Sequence, residues 1–161
     1  MSSIPQGSLL QRFRTTAVVW LAMLVSVVLY ALIVEAFHRG WIVTGQPADI
    51  PNGNRIHIIL LGLSVMTFFM AGAIKTIILR GLETPAVTSP AEAAGKLQGA
   101  TIIAAALSES IVIVGLVEYM LLRRYGSFYL FAALSVVGFL VHAPRVSQWM
   151  RLAGTDNSLE S

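Results

Sequence analysis

Of the 161 residues, 56% are hydrophobic and 12% are charged, about half the charged share of an ordinary soluble domain, which is about 25%. Together with a mean hydropathy of +0.76, this excludes a typical soluble domain and places the chain in the membrane class. With no cysteine there is no disulfide, thiolate metal site or Cys nucleophile, and a net charge of +3 fits Lys and Arg flanking apolar segments rather than a nucleic-acid surface.

Residues 1–14 form a polar lead in which Arg12 and Arg14 precede an apolar run from Thr15 to Phe37. The run is too long for a signal-peptide core of about 7–15 residues, and no small-residue cleavage site follows it. It reads as a first spanning helix over about 15–37, with Trp20 and Tyr30 as interface markers. Glu35 falls in its last turn beside His38 and Arg39. It is either an interfacial carboxylate touching water or a group lining an aqueous mouth. Residues 38–56 hold two prolines, three glycines and two asparagines, the composition of a loop. Trp41, Ile42 and Val43 are expected to dip into the headgroups, and Asn52-Gly53 to make a tight turn. Asp49 and His38 alone do not make a metal site.

A second spanning helix is expected over 57–80, with His57 at the interface. Lys75 lies five residues from its end, roughly 8 Å deep. Two readings stand for it: snorkelling to the near interface, or an ion pair with Glu109. Gly62, Ser64 and Ala71-Gly72-Ala73 offer small surfaces for close packing. In the polar segment 81–98, which contains Pro85, Ser89 and Glu92 have capping-box spacing and Pro90 sits at the favoured first helical position. A helix starting there can run straight into the next apolar segment.

Residues 99–122 are the third expected span, about 36 Å long as a helix. Glu109 falls about 15 Å from its start, near the midplane of a hydrocarbon core of roughly 30 Å. A charged carboxylate there costs at least about 2.5–3.5 kcal/mol on insertion scales, so it must be neutralised, paired or turned to a polar cavity. Ala100, Ala104 and Ser108 recur every four residues and Gly115 extends this light stripe, permitting a close neighbour. Glu118, beside Tyr119, reads as a solvated interfacial carboxylate, paired with Arg123 or with another loop. Gly126-Ser127 is expected to start a tight reversal, and residues 128–143 a last helix stopped by Pro144-Arg145. His142 then sits in a final turn that touches water. The tail after Trp149 is amphipathic, then polar.

The fold class is therefore all-α: a single integral membrane four-helix bundle over 1–161, with spans at about 15–37, 57–80, 99–122 and 126–144. Seven positive residues (Arg12, Arg14, Lys75, Arg80, Lys96, Arg145 and Arg151) fall on the side of the termini. Four (Arg39, Arg55, Arg123 and Arg124) fall on the other. The positive-inside rule then places both termini inside.

Ala106-Leu107-Ser108-Glu109 leads to Ile113-Val114-Gly115-Leu116-Val117. This stretch resembles the carboxylate helix of the rotor-ring c subunits of ATP synthases. The resemblance implies that Glu109 is a proton-binding carboxylate and that the 81–98 loop faces the cytoplasm. Ser110 directly after Glu109 matches the sodium-binding members. Residues 57–80 depart from that family: they lack its glycine-rich repeat and a Gln to complete a sodium site, and Lys75 has no counterpart. The loop is longer, and the first and last helices are extra. The chain also resembles small four-span bacterial membrane proteins that share the spacing from Glu109 to Gly115-Leu116-Val117 and a last helix ending in Pro-Arg. That resemblance implies a multi-pass protein of a cell membrane, the bacterial inner membrane, and no activity.

No Ser/His/Asp set, metal-ligand cluster or glycine-rich phosphate loop is present in the sequence, so no catalytic residue, metal or cofactor is expected. His57 and His142 fall at opposite faces, which argues against a haem between them. Two functions remain. The first is a non-enzymatic subunit or scaffold of a membrane assembly, with the lipid bilayer, membrane-protein partners or further copies of itself around it. The second is a proton- or sodium-handling protein using Glu109, with Ser110 and Lys75 as the other intramembrane polar groups.

Overall fold

A computed structural model describes residues 6–42, 50–83, 90–147 and 149. Val43, Asp49, Pro85, Ser89, Arg151 and the tail beyond Trp149 lie outside the described residues. The chain is all-helical in four elements: α1 (Gln6–His38), α2 (Gly53–Glu83), α3 (Pro90–Leu122) and α4 (Tyr125–Val141). Three segments, Leu9–His38, Gly53–Arg80 and Ala91–Leu122, are long and apolar enough to cross a membrane. The fourth helix has 17 residues and is about 26 Å long. α3 runs unbroken from Pro90 through the polar turns, because residues 91–98 hold no proline and a single glycine, Gly95, which a helix tolerates.

The helix ends follow from local chemistry. α1 stops at Gly40, whose φ of +73° is open to glycine at little cost. The Gly40 N–H donates to the Phe37 carbonyl at 3.2 Å and the Trp41 N–H to that of Ala36 at 2.9 Å, the bond pair of a Schellman motif. Asn52 takes φ 65° just before α2, a conformation asparagine tolerates better than most residues. The turn after α3 differs from the expected one. It falls at Arg123-Arg124, and Gly126 and Ser127 are already helical. Arg123 adopts φ 54°, which ends α3, and its guanidinium lies over the Tyr119 and Phe37 rings at 5.8 and 5.9 Å.

Among the described residues α1 and α2 each pack on both α3 and α4 and not on one another. α3 and α4 are thus the centre of the bundle. On α3 the positions Ala94, Leu97, Thr101, Ala104, Ser108, Ile111, Gly115 and Glu118 are all buried. They alternate spacings of three and four, the 3.5-residue repeat of helices that pack along a left-handed seam. The stripe is selected by size, since the apolar character of α3 is nearly uniform around its axis. A Cβ on Gly115 would lie 2.5 Å from Phe131 Cβ, and one on Gly138 would lie 2.6 Å from Ser108 Oγ. Small residues here let the two backbones approach, the main source of attraction where lipid is as apolar as the core.

Val27 and Val34 of α1 pack with Ala105, Val112 and Tyr119 of α3 and with Phe128 and Phe139 of α4. At one end Leu9 and Phe13, Leu79, Ala94 and Leu97 surround Trp149, so the start of α1 and the segment after α4 share one end of the bundle. Trp20 is part of the packing, not a free interface marker. Its Nε1 donates to the Phe139 carbonyl at 3.3 Å and its ring meets Phe139 edge-on.

Candidate functional site

The chemistry available to this chain lies in side chains that its helices turn inward. Glu109 faces α1. The Ser26 hydroxyl donates to Glu109 Oε1, and Tyr30 Oη donates to the same oxygen at 3.4 Å. Tyr30 therefore points at a carboxylate within the bundle instead of marking the interface. Ser26 also reaches the Met23 carbonyl at 2.6 Å, so its single proton has two acceptors. Ser110 does not join this group: its hydroxyl donates back to the Leu107 carbonyl at 2.7 Å. Of the packing residues read from the sequence, Ala100, Ala104 and Ser108 are fully enclosed. Ser135 of α4 donates to the Ser108 carbonyl at 2.7 Å.

Lys75 follows neither reading made for it. Only 8% of it is exposed, which excludes snorkelling, and its partner is not Glu109. Its Nζ donates to the carbonyl of His142 at 3.1 Å, one residue past the end of α4. Helix C-terminal carbonyls lack intrahelical donors and carry partial negative charge, so the ammonium caps α4 from α2. His142 is also corrected. It is 4% exposed rather than at a watery turn, with its ring beside Gly72 and Phe68 and Nε2 without a partner.

The largest departure from the sequence reading is Glu118. It is fully buried, not solvated, and its Oε1 lies 2.8 Å from His57 Nδ1. Its Oε2 has no hydrogen-bond partner. The His57 side chain is 21% exposed and stands edge-on to Phe131 at 6.3 Å. Two registers create this pair. Glu118 follows Gly115 by three on the buried stripe of α3, and His57 precedes the buried Ser64 by seven on α2. The spacing was visible in the sequence; which helix each stripe faces was not.

Glu35 ties α1 to α4. It accepts from Arg39 Nε at 2.7 Å, from Tyr125 Oη, and from Tyr129 Oη at 3.4 Å, while His38 stacks on Tyr125 at 3.9 Å. His57 and Lys75 are 18 residues apart on α2, about 27 Å, and Lys75 is bonded to His142, so the two histidines do not converge on one ligand. Among the described residues no three His, Asp or Glu side chains come together to hold a metal. An apolar groove of about 360 Å³ runs between α2 and α3, lined by Ile77, Ile78, Lys96, Gly99, Ala100 and Ile103.

Chemically, the inward polar groups can fasten one helix to the next and can exchange protons. None forms a nucleophile–base pair with an oxyanion site among the described residues. No family model, curated protein or solved structure matches this chain.

Proposed function

We propose that the protein is a non-enzymatic integral membrane subunit or scaffold. One observation supports this best: Glu109, Glu118 and Lys75, the costly polar groups of the apolar helices, are each bonded to another helix of the same chain. Groups that move ions or bind substrate converge on a water-filled path; these latch α1 to α3, α3 to α2 and α2 to α4. The outer faces of α1 and α2 are left apolar, with Val18, Ile58, Ile59, Phe69 and Ile77 exposed, and lipid or partner helices cover them.

Extraction in mild detergent followed by native mass spectrometry tests the reading. The expected result is this chain in a defined complex with other membrane proteins. A partner-free protein that conducts protons or sodium after reconstitution refutes it. A second reading, a proton- or sodium-handling protein built on Glu109, draws its support from the two hydroxyls that meet its Oε1. A closed ring of many identical copies would favour that reading.

A further inference from the structure

The fully enclosed carboxyl of Glu118 presents a problem of charge. An ionised carboxylate in such a place is costly unless both oxygens are satisfied. Here Oε1 meets His57 Nδ1 at 2.8 Å, while Oε2 meets nothing. The side chain is fully enclosed by the protein. The titratable and charged groups at this end meet other partners or face outward. On α1, Glu35 is bonded to Arg39 and to Tyr125 and Tyr129 of α4, and His38 stacks on Tyr125. Arg124 donates to Asn54, Arg123 of the α3 end lies over Tyr119, and Arg55 of α2 is exposed.

One arrangement leaves the least costly orphan. If Glu118 Oε1–H donates to His57 Nδ1, then Oε2 is a neutral carbonyl oxygen, and an under-satisfied carbonyl is the better tolerated buried orphan. His57 then carries its own proton on Nε2, on a ring that is partly exposed.

We propose that the His57–Glu118 pair is a one-proton binding site, filled from the aqueous phase through the His57 ring, whose occupancy holds the start of α2 against α3. Release balances without a further reactant. The Oε1–H bond breaks as Nδ1–H forms, Nε2–H breaks, and its proton passes to water. The products are a carboxylate and a neutral imidazole protonated on Nδ1, which now donates to Oε1. A buried charge replaces a neutral pair, and the contact between α2 and α3 weakens.

The test uses the full chain in lipid bilayers. Infrared difference spectra of wild type against Glu118→Gln at neutral pH are expected to show a carboxylic-acid carbonyl band that the variant loses; carboxylate bands in its place overturn the proposal. Nitrogen NMR of His57 in wild type is expected to show Nε2–H with Nδ1 accepting, changing to Nδ1–H as the pH is raised. An imidazolium at neutral pH, or a tautomer that never changes, overturns it. This second readout needs no variant and decides the matter even if Glu118→Gln fails to fold. Amide exchange over residues 54–60, corrected for its intrinsic pH dependence, is expected to rise with the tautomer change in wild type and not in Glu118→Gln. Equal behaviour in both overturns the link to α2.

Discussion

Gly115→Ala is a sharp probe of how closely α3 and α4 approach. The added Cβ would sit 2.5 Å from Phe131 Cβ and 2.9 Å from its Cγ. Carbon atoms pack at about 3.5–4.0 Å, so α4 must retreat by about 1 Å. Phe131 cannot swing away, since the near atom is its Cβ, fixed to the backbone. Overpacking of this kind costs about 1–3 kcal/mol, which lowers the folded-to-unfolded ratio by roughly 5- to 150-fold at RT of about 0.59 kcal/mol. Gly62→Ala and Gly99→Ala are the controls, because a Cβ at either meets nothing within 4 Å. Both should be neutral or slightly stabilising, as alanine is favoured over glycine in helices by about 0.5–1 kcal/mol. Equilibrium unfolding in mixed detergent micelles, followed by the fluorescence of Trp20 against Phe139, measures all three. If Gly115→Ala were as stable as the controls, the close α3–α4 contact would be wrong.

Two further outcomes follow from the polar latches. A double-mutant cycle between Ser26→Ala and Glu109→Leu, measured by the same unfolding assay, should give a coupling of about 0.6 kcal/mol and no more than about 1.7 kcal/mol, the range of interhelical hydrogen bonds in membranes; no coupling would mean that Glu109 does not hold α1. Lys75→Met leaves the His142 carbonyl without its donor, a loss of about 1–3 kcal/mol for a buried acceptor. Amide exchange should rise in the last turn of α4, and an unchanged exchange pattern there would remove the capping role of Lys75.

The polar contacts also separate what α3 shows as a sequence from what it does in the bundle. Its light stripe was readable at Ala100, Ala104, Ser108 and Gly115, because small residues at helical spacing mark a close neighbour whatever that neighbour is. Glu118 lies on the continuation of the same stripe. Counted from the end of the apolar segment it looked interfacial, since depth along one helix says nothing about which side another helix covers. Lys75 misled for the same reason: its depth suited snorkelling, but its direction on α2 points it at the end of α4.

Composition and long apolar runs by themselves determined that this is a helical chain with segments long enough to cross a membrane, and roughly where its helices lie. Helix formation in such runs is a local matter: each backbone donor finds its acceptor four residues away, whatever the rest of the chain does. Pairing of the helices is not local. In an apolar medium there is no polarity contrast to announce a buried face, and the attraction comes from shape. Ser26 meets Glu109 across 83 residues, His57 meets Glu118 across 61 and Lys75 meets His142 across 67. Only the tertiary structure decided these partners, because each depends on the rotation and register of two helices packed through small residues such as Gly115 and Gly138.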